Sequence, residues 1–278
     1  AGLAGGPGRR LSLFFNPAGT ALVLLAEDGA RTITLQDLEA QYHRMVQTQD
    51  RLALHLKVLA QGLRYSGSCR AMTNRIPAAR AAHLSAIAAQ AIADAASRDE
   101  AEVRIWTIED DMTVSLMREA GAAPTRQQLG HWSVSYGPQV AAEIAALRAA
   151  QLPRETGGVL LGIIDTSRRT VQVIRALAEP ADSSGTVTGF ERGVSGLAAT
   201  VRDAVERSLH QIRYVGEWHS HPAGASTYPS VTDIRQISWL TAELENEGLP
   251  ALMIIAGDKD ALSIILAGKG LIGSGSRP

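Results

Sequence analysis

Two histidines separated by one residue, His219 and His221, follow an apolar run with strand character at 212–215. Residues i and i+2 of a strand share a face, so both imidazoles are predicted to project in the same direction. Imidazole is a preferred ligand of zinc, and a catalytic zinc site takes three protein ligands and a water. The pair therefore predicts two ligands of a metal site, against the alternative of ordinary core or surface histidines.

A hydroxyl and a carboxylate follow the histidines across a loop rich in glycine and proline. Ser230 and Asp233 open a segment whose apolar residues recur with helical period. Three positions apart on a first helical turn, they can point back to the same place. Two imidazoles and one carboxylate suit zinc best and iron second, so Asp233 is predicted as the third ligand.

A second carboxylate, Glu155, lies upstream, before two glycines and an apolar run that reads as a buried strand. The paired glycines, Gly157 and Gly158, predict a close approach by a neighbouring backbone. A carboxylate at the mouth of an apolar strand is costly unless it is paired, hydrogen-bonded or protonated. A general base beside a metal-activated water is one such use, and a surface glutamate at a strand end is the alternative.

Together these residues resemble the zinc-binding JAMM form of the JAB/MPN family, whose pattern is an upstream Glu, then His-x-His, then Ser-x-x-Asp. The phrases Glu-Thr-Gly-Gly-Val-Leu-Leu-Gly and Gly-Glu-Trp-His-Ser-His-Pro, at 155–162 and 216–222, are similar to its bacterial branch. The resemblance covers roughly residues 130–270. Eleven residues separate His221 from Asp233, one more than is usual in the family. The extra residue falls in a loop, where insertions are tolerated.

The resemblance implies a zinc-dependent peptidase or isopeptidase of a bacterial ubiquitin-like conjugation system, in a setting of antiviral defence. Zn²⁺ would be held by three ligands, with Glu155 as the general base and Ser230 stabilising the oxyanion; the ligands are His219, His221 and Asp233. Its substrate would be the C-terminal tail of a ubiquitin-like protein, with a conjugating enzyme as a further partner. The competing interpretation is a non-catalytic MPN scaffold, although all three ligands and the glutamate are retained.

The first half of the chain carries a second, less specific resemblance. The phrases Leu-Phe-Phe-Asn-Pro-Ala-Gly-Thr at 13–20 and Ser-Cys-Arg at 68–70 are similar to the C-terminal part of a ThiF/MoeB-type ubiquitin-activating adenylation domain. The single cysteine, Cys69, is then a candidate thioester nucleophile, or else an inert packing thiol. No glycine-rich nucleotide loop is visible, so this chain is not expected to adenylate a modifier. A thioester-carrying part of an activating enzyme remains an alternative function.

Composition limits the remaining classes of function. The 278 residues are 45% hydrophobic with a net charge of −1, which is a globular profile of a size that suits two domains. The balanced charge argues against a nucleic-acid partner, and the apolar runs are too short to span a membrane. One cysteine excludes an internal disulfide framework, and with no signal peptide in view a cytoplasmic location is expected.

The order of elements predicts an α/β protein of layered α+β type with two domains. Residues 1–125 are predicted as a smaller α/β domain, the partial ThiF/MoeB-like domain. Residues 126–278 are predicted as the JAB/MPN domain, a cytidine-deaminase-like mixed sheet flanked by helices. Helices are expected from Leu35, with Thr34 as cap, and over 51–63, 78–97, 138–151, 193–209 and 233–246.

Overall fold

The computed structural model describes residues 8–57, 76–268 and 271–276, the last range by its backbone alone. The chain divides into two units. The first comprises Ala1–Ala123 with Arg207–Leu209, and the second comprises Pro124–Glu206 with His210–Pro278. Each unit has its own sheet with helices packed against it, which confirms the layered α+β class.

The first unit is a four-stranded antiparallel sheet in the order β1-β2-β3-β4 with two helices. Its elements in chain order are β1 (Leu11–Phe15), β2 (Ala21–Ala26), α1 (Leu35–Thr48), α2 (Ala78–Ala96), β3 (Glu102–Ile108) and β4 (Val114–Ala120). Every residue of β2 is buried, because its alternate side chains face opposite layers. Val23 and Leu25 pack in the cluster that contains α1, whereas Leu22 and Leu24 pack with α2.

The prediction of a helix over 51–63 is wrong within the described residues. Helix α1 begins at its predicted cap Thr34 but ends at Thr48, and Gln49 adopts an extended conformation. Only a short 3₁₀ turn, Asp50–Leu52, follows, before turns that continue to residue 56. Residues 58–63 lie outside the described part of the chain.

The second unit contains an eight-stranded mixed sheet in the order β14-β13-β12-β11-β7-β8-β6-β5 and a separate two-stranded hairpin. Its elements are β5 (Thr125–Leu129), β6 (Trp132–Tyr136), α3 (Pro138–Gln151), β7 (Gly157–Asp165), β8 (Thr170–Ala176), β9 (Ser184–Thr186), β10 (Gly189–Glu191), α4 (Leu197–Arg207), β11 (Arg213–Ser220), α5 (Val231–Glu245), β12 (Ala251–Ala256), β13 (Leu262–Gly268) and β14 (Leu271–Ser276). The pairs β11–β12 and β6–β8 are parallel, and the other pairs are antiparallel.

Helices cover both faces of this sheet, as the continuous burial of β12 requires. Leu252 and Ile254 join the cluster that contains Val140 of α3. Met253 and Ile255 join the cluster that contains Ile237 and Leu240 of α5. Helices α3 and α5 are therefore fixed on opposite faces, and β11 runs between β7 and β12 in the middle of the sheet.

Four strands were not predicted. β5 is a polar segment, Thr-Arg-Gln-Gln-Leu, at one end of the sheet order. The β9–β10 hairpin lies in the region predicted as a polar loop and has only three residues per strand. β14, at the other end of the sheet, is rich in glycine and serine. All four lack the apolar alternation that identifies a half-buried strand in a sequence.

Candidate metal centre

The two histidines emerge at the end of β11. His219 pairs in register with Gly157 of β7 and Ile255 of β12, while His221 lies just beyond the strand and continues the pairing through a 2.8 Å bond from its N–H to the carbonyl oxygen of Ala256. Their ring centroids are 5.3 Å apart. The central strand thus places both imidazoles side by side, on a backbone held by its neighbours.

The candidate carboxylate is positioned by a helix N-terminus. Ser230 is the N-cap of α5 and forms a capping box with Asp233. The Ser230 N–H donates to Oδ2 of Asp233 at 2.6 Å, and Ser230 Oγ accepts from the Asp233 N–H at 3.2 Å. The helix dipole favours the ionised carboxylate at this position. The cap therefore fixes the direction in which Asp233 points.

The three side chains converge on one point. Nε2 of His219 lies 3.1 Å from Oδ1 of Asp233, and Nε2 of His221 lies 3.4 Å from Oδ2. One ligand atom from each residue falls within 4.8 Å of the others. Ligand atoms around a tetrahedral ion with bonds of about 2.0–2.1 Å are themselves about 3.4 Å apart, so the spacing fits zinc.

Hydrogen bonding supports the same fit. Among the described residues, the buried Nε2 of His219 has no hydrogen-bond partner, although it lies 3.1 Å from Oδ1 of Asp233. A buried polar atom left unpaired is costly. A metal ion between the imidazoles and the carboxylate would satisfy this nitrogen. The donor set itself, two nitrogens and one oxygen, is one that zinc accepts.

The charges at the centre keep the Asp233 carboxylate ionised. Burial raises the pKa of Asp233, but the adjacent imidazoles of His219 and His221 and the N–H of Ser230 outweigh burial and hold that pKa well below its ordinary value. The Asp233 carboxylate raises the pKa of His221, against the opposing effect of burial. A carboxylate that stays ionised is the form that binds a cation.

Glu155 lies in the same cleft, two residues before β7 rather than within it. Its N–H donates to Thr186 O of the hairpin at 2.8 Å, and the next residue, Thr156, bonds to Ser220 through both backbone groups. Burial raises the pKa of Glu155, partly offset by His219 and His221. A raised pKa brings a carboxylate closer to the value that suits a general base at neutral pH.

The predicted close approach at the paired glycines is confirmed. A Cβ on Gly157 would lie 2.5 Å from the carbonyl oxygen of Trp218 and 2.7 Å from the ring of Phe190. A Cβ on Gly158 would lie 2.1 Å from the carbonyl oxygen of Leu177. Glycine therefore lets the start of β7 pack directly against the strand that carries His219.

These side chains line a cleft of about 370 Å³. Its walls combine the start of α5, the end of β11 and the hairpin, and its lining includes Glu155, Phe190, Arg192, Glu217, His219, His221, Ser230, Asp233 and Gln236. The candidate ligands, the candidate base and Ser230 thus share one accessible space in the second unit.

Sequence reasoning missed a polar cluster in this cleft. The buried carboxylate of Glu217, two residues before His219, accepts from Arg192 at 2.9 Å, from Gln236 at 2.6 Å and from Tyr214 at 3.3 Å. Arg192 follows β10, Gln236 lies on α5 and Tyr214 lies on β11 itself, so a local sequence pattern does not predict the whole cluster. The available signal was a carboxylate in the middle of a predicted strand, which requires a partner when it is buried.

The remaining candidate, Cys69, lies outside the described residues. The proposed thioester role therefore stays a sequence-based prediction.

Among the helices that the structure describes, none has both the length and the apolar character needed to cross a membrane.

Comparison with known proteins matches residues 137–265 to the family described as prokaryotic homologs of the JAB domain. A CD-NTase/cGAS isopeptidase of Enterobacter hormaechei subsp. hoffmannii is 38% identical over 41% of this chain and 61% of its own length. One of the same name from Escherichia coli is 36% identical over 38% of this chain and 64% of its own length.

The chain thus spans less than two thirds of the length of either relative. A solution structure of a Desulfitobacterium hafniense protein is 20% identical, with a TM-score of 0.36 over 52% of this chain and 89% of that one. The family match and the two named relatives together support a bacterial JAB domain at residues 137–265.

Proposed function

We propose that this chain is a zinc-dependent isopeptidase that cleaves the amide bond after the C-terminal tail of a ubiquitin-like protein. One observation carries the proposal: three metal-ligating side chains and a glutamate with a raised pKa converge on one cleft of a bacterial JAB domain. The two relatives named as isopeptidases support the same class of reaction.

In this proposal His219, His221 and Asp233 hold the metal. Zinc bound there supplies Lewis acidity, which polarises the scissile carbonyl and brings the pKa of water close to 7. Glu155 accepts a proton from the attacking water on its carboxylate and then delivers that proton to the departing lysine amine. Its raised pKa lets it serve as base first and acid afterwards.

Ser230 is proposed to stabilise the negative charge that develops on the carbonyl oxygen. Its Oγ accepts from the Asp233 N–H, which leaves the hydroxyl proton available to donate. A donor that is already fixed by a helix cap needs little reorganisation during the reaction. Loss of one such donor in other hydrolases costs about 100–1000-fold in rate.

The substrate tail is proposed to bind in extended form along β10. Among the described strands β10 pairs only with β9, so its other edge can accept a peptide strand. Gly189 and Phe190 of β10 line the cleft that contains Glu155. A tail paired there would lead its terminal carbonyl towards the candidate metal ligands.

We further propose that residues 126–278 carry this hydrolase activity and that residues 1–125 correspond to the C-terminal part of a ThiF/MoeB-like domain. Both relatives are named CD-NTase/cGAS isopeptidases. For this chain we extend that to a conjugation system in which a ubiquitin-like tail is joined to lysine and a conjugating enzyme is a further partner.

The proposal is tested with zinc-loaded protein and a ubiquitin-like protein whose C-terminus carries a short peptide extension. Intact-mass measurement should show cleavage directly after the tail, and chelation of the metal should abolish it until zinc is restored. Protein that binds zinc but cleaves neither the extension nor a lysine-linked conjugate across a panel of bacterial ubiquitin-like proteins would contradict the proposed activity.

A further inference from the structure

A buried arginine binds the backbone of the candidate metal ligand His221. Arg148, near the end of α3, has a side chain that is only 9% exposed. Its Nε and Nη2 both donate to the carbonyl oxygen of His221, at 3.3 and 3.2 Å. The two residues are 73 positions apart in the sequence. The carbonyl of His221 lies where the chain leaves β11 and enters the loop towards Ser230.

A carboxylate completes the contact on the other side of the turn. Nη2 of Arg148 pairs with Oδ1 of Asp258 at 2.6 Å, and Oδ2 of Asp258 accepts from the N–H of Gly224 at 2.6 Å. The Arg148–Asp258 ion pair therefore binds two backbone groups of the turn: Arg148 binds the carbonyl of His221, and Asp258 binds the N–H of Gly224. The left-handed φ of +80° at Gly224 turns the chain just beyond that N–H.

These hydrogen bonds determine where the imidazole of His221 points. The N–H of His221 is bound to Ala256 O, its carbonyl is bound to Arg148, and its ring Nδ1 lies 2.6 Å from the carbonyl oxygen of Ser226. Ser226 belongs to the same loop that Arg148 and Asp258 hold. With backbone and ring both fixed, Nε2 of His221 is left facing Asp233.

The chemistry of the contact distinguishes it from simple filling of space. α3 otherwise buries apolar residues such as Val140 and Ile144, and a buried guanidinium is costly unless it is paired and hydrogen-bonded. Arginine can present several donors in one plane, which lets it bind a carbonyl and a carboxylate at once, whereas lysine is a point charge. An apolar side chain could fill the space but could not hold the carbonyl.

We infer that Arg148, held by Asp258, is a positioning residue for His221 and thereby sets the affinity of the site for zinc. Residues that orient metal ligands typically contribute 10–100-fold to metal affinity. The inference rests on the proposed metal site, because it concerns how tightly that site binds. It assigns Arg148 no contact with the metal or the substrate.

The test measures zinc affinity in the full chain by competition with a chromophoric chelator, for wild type, Arg148→Met, Arg148→Lys and Asp258→Asn. Arg148→Met and Asp258→Asn should each weaken zinc binding about 10–100-fold. Arg148→Lys should bind zinc more tightly than Arg148→Met but less tightly than wild type, because lysine keeps the positive charge but lacks the planar set of donors of the guanidinium. Co²⁺ substitution should show an altered d–d spectrum in the same variants.

Arg175→Met is the matched control. Arg175 of β8 pairs with Glu143 of α3 at 3.7 Å, and within the described part of the chain no hydrogen bond or ion pair joins it to the 221–226 loop. Its removal should therefore leave zinc affinity within about twofold of wild type, well below the 10–100-fold that orienting residues contribute. Thermal unfolding of the metal-free variants separates a general loss of stability from a specific loss of affinity.

Unchanged zinc affinity in Asp258→Asn and Arg148→Met would overturn the inference, whatever their thermal stability. If Arg148→Met fails to fold, Asp258→Asn decides, because Asp258 is 44% exposed and its substitution removes charge with little change in packing. Failure of the wild-type chain to bind zinc would instead contradict the proposed metal site itself.

Discussion

The Nδ1 atom of His221 lies 2.6 Å from the carbonyl oxygen of Ser226. A carbonyl oxygen only accepts hydrogen bonds, so Nδ1 must carry the proton, and the lone pair of the neutral ring then lies on Nε2. Nε2 is the atom that faces Asp233. A backbone carbonyl in the loop thus selects the tautomer that can bind a metal.

His221→Ala should abolish stoichiometric zinc binding, since only two of the three protein ligands remain. We expect about one zinc per wild-type chain and less than about one tenth of that in the variant after gel filtration, because a lost ligand should cost more than the 10–100-fold of an orienting residue. Elemental analysis measures the content. His131→Ala, which removes an exposed histidine elsewhere in the second unit, should retain the metal. Equal zinc in both variants would show that the ion is bound elsewhere.

Ser230→Ala should have two separable effects. Loss of the N-cap should lower the free energy of unfolding by about 1 kcal/mol, because Ser230 Oγ accepts the Asp233 N–H. Loss of the oxyanion donor should lower kcat about 100–1000-fold.

Ser230→Gly separates the two effects of that substitution. Glycine is tolerated at an N-cap, so it should cost only a few tenths of a kcal/mol in stability while losing the same activity. Activity that follows stability across wild type, glycine and alanine would mean that Ser230 only caps α5.

Arg192→Met should destabilise the second unit by about 3 kcal/mol, because it leaves the buried carboxylate of Glu217 without its charged partner. Gln236 and Tyr214 still donate to that carboxylate, so the loss should lie at the low end for a broken buried pair. Urea unfolding at saturating zinc provides the measurement. Adding Glu217→Gln to the variant should restore much of the stability, and no recovery in the double variant would show that Arg192 acts through packing alone.

Acidification should destabilise the first unit through two buried histidines. Burial lowers the pKa of His43 and of His55 to about 4, from an ordinary value of 6.5. Between pH 6.5 and 4 the unfolded chain therefore binds more protons than the folded unit, so stability is complete above pH 6.5 and falls as the pH drops through that window. Each histidine should cost about 2 kcal/mol between pH 7 and pH 5.

Hydrogen exchange of α1 at the two pH values, corrected for intrinsic exchange rates, measures this loss. His43→Leu and His55→Leu should each reduce the pH dependence, whereas His83→Leu, at a partly buried position of α2, should not. Amide protection in α1 that is the same at pH 5 and pH 7 would contradict the account of these buried imidazoles.

The local parts of the centre could be predicted from the sequence. Alternation along a strand placed His219 beside His221, and helix periodicity placed Ser230 and Asp233 on one first turn, because both rules depend only on nearby residues. The close packing at Gly157 followed from the absence of a side chain. Each of these features lies within a single element or at its end.

The supporting contacts could not be predicted in this way. Arg148 reads as one charge on an alanine-rich helix, and nothing nearby indicates that it binds the carbonyl of His221, 73 residues later. Glu217 likewise finds Arg192 and Gln236 only after β10, β11 and α5 have packed together. Such pairs follow from tertiary packing, which hydrophobic periodicity does not encode.

The most direct test of the central claim is Glu155→Gln, because it separates chemistry from metal binding. Glutamine preserves the size of the side chain but cannot accept the proton of the attacking water, and Glu155 is not among the convergent metal ligands. We predict wild-type zinc content, wild-type thermal stability and a fall in kcat of about 100–10,000-fold on a ubiquitin-like substrate. Turnover near the wild-type rate in a zinc-loaded Glu155→Gln variant would contradict the account.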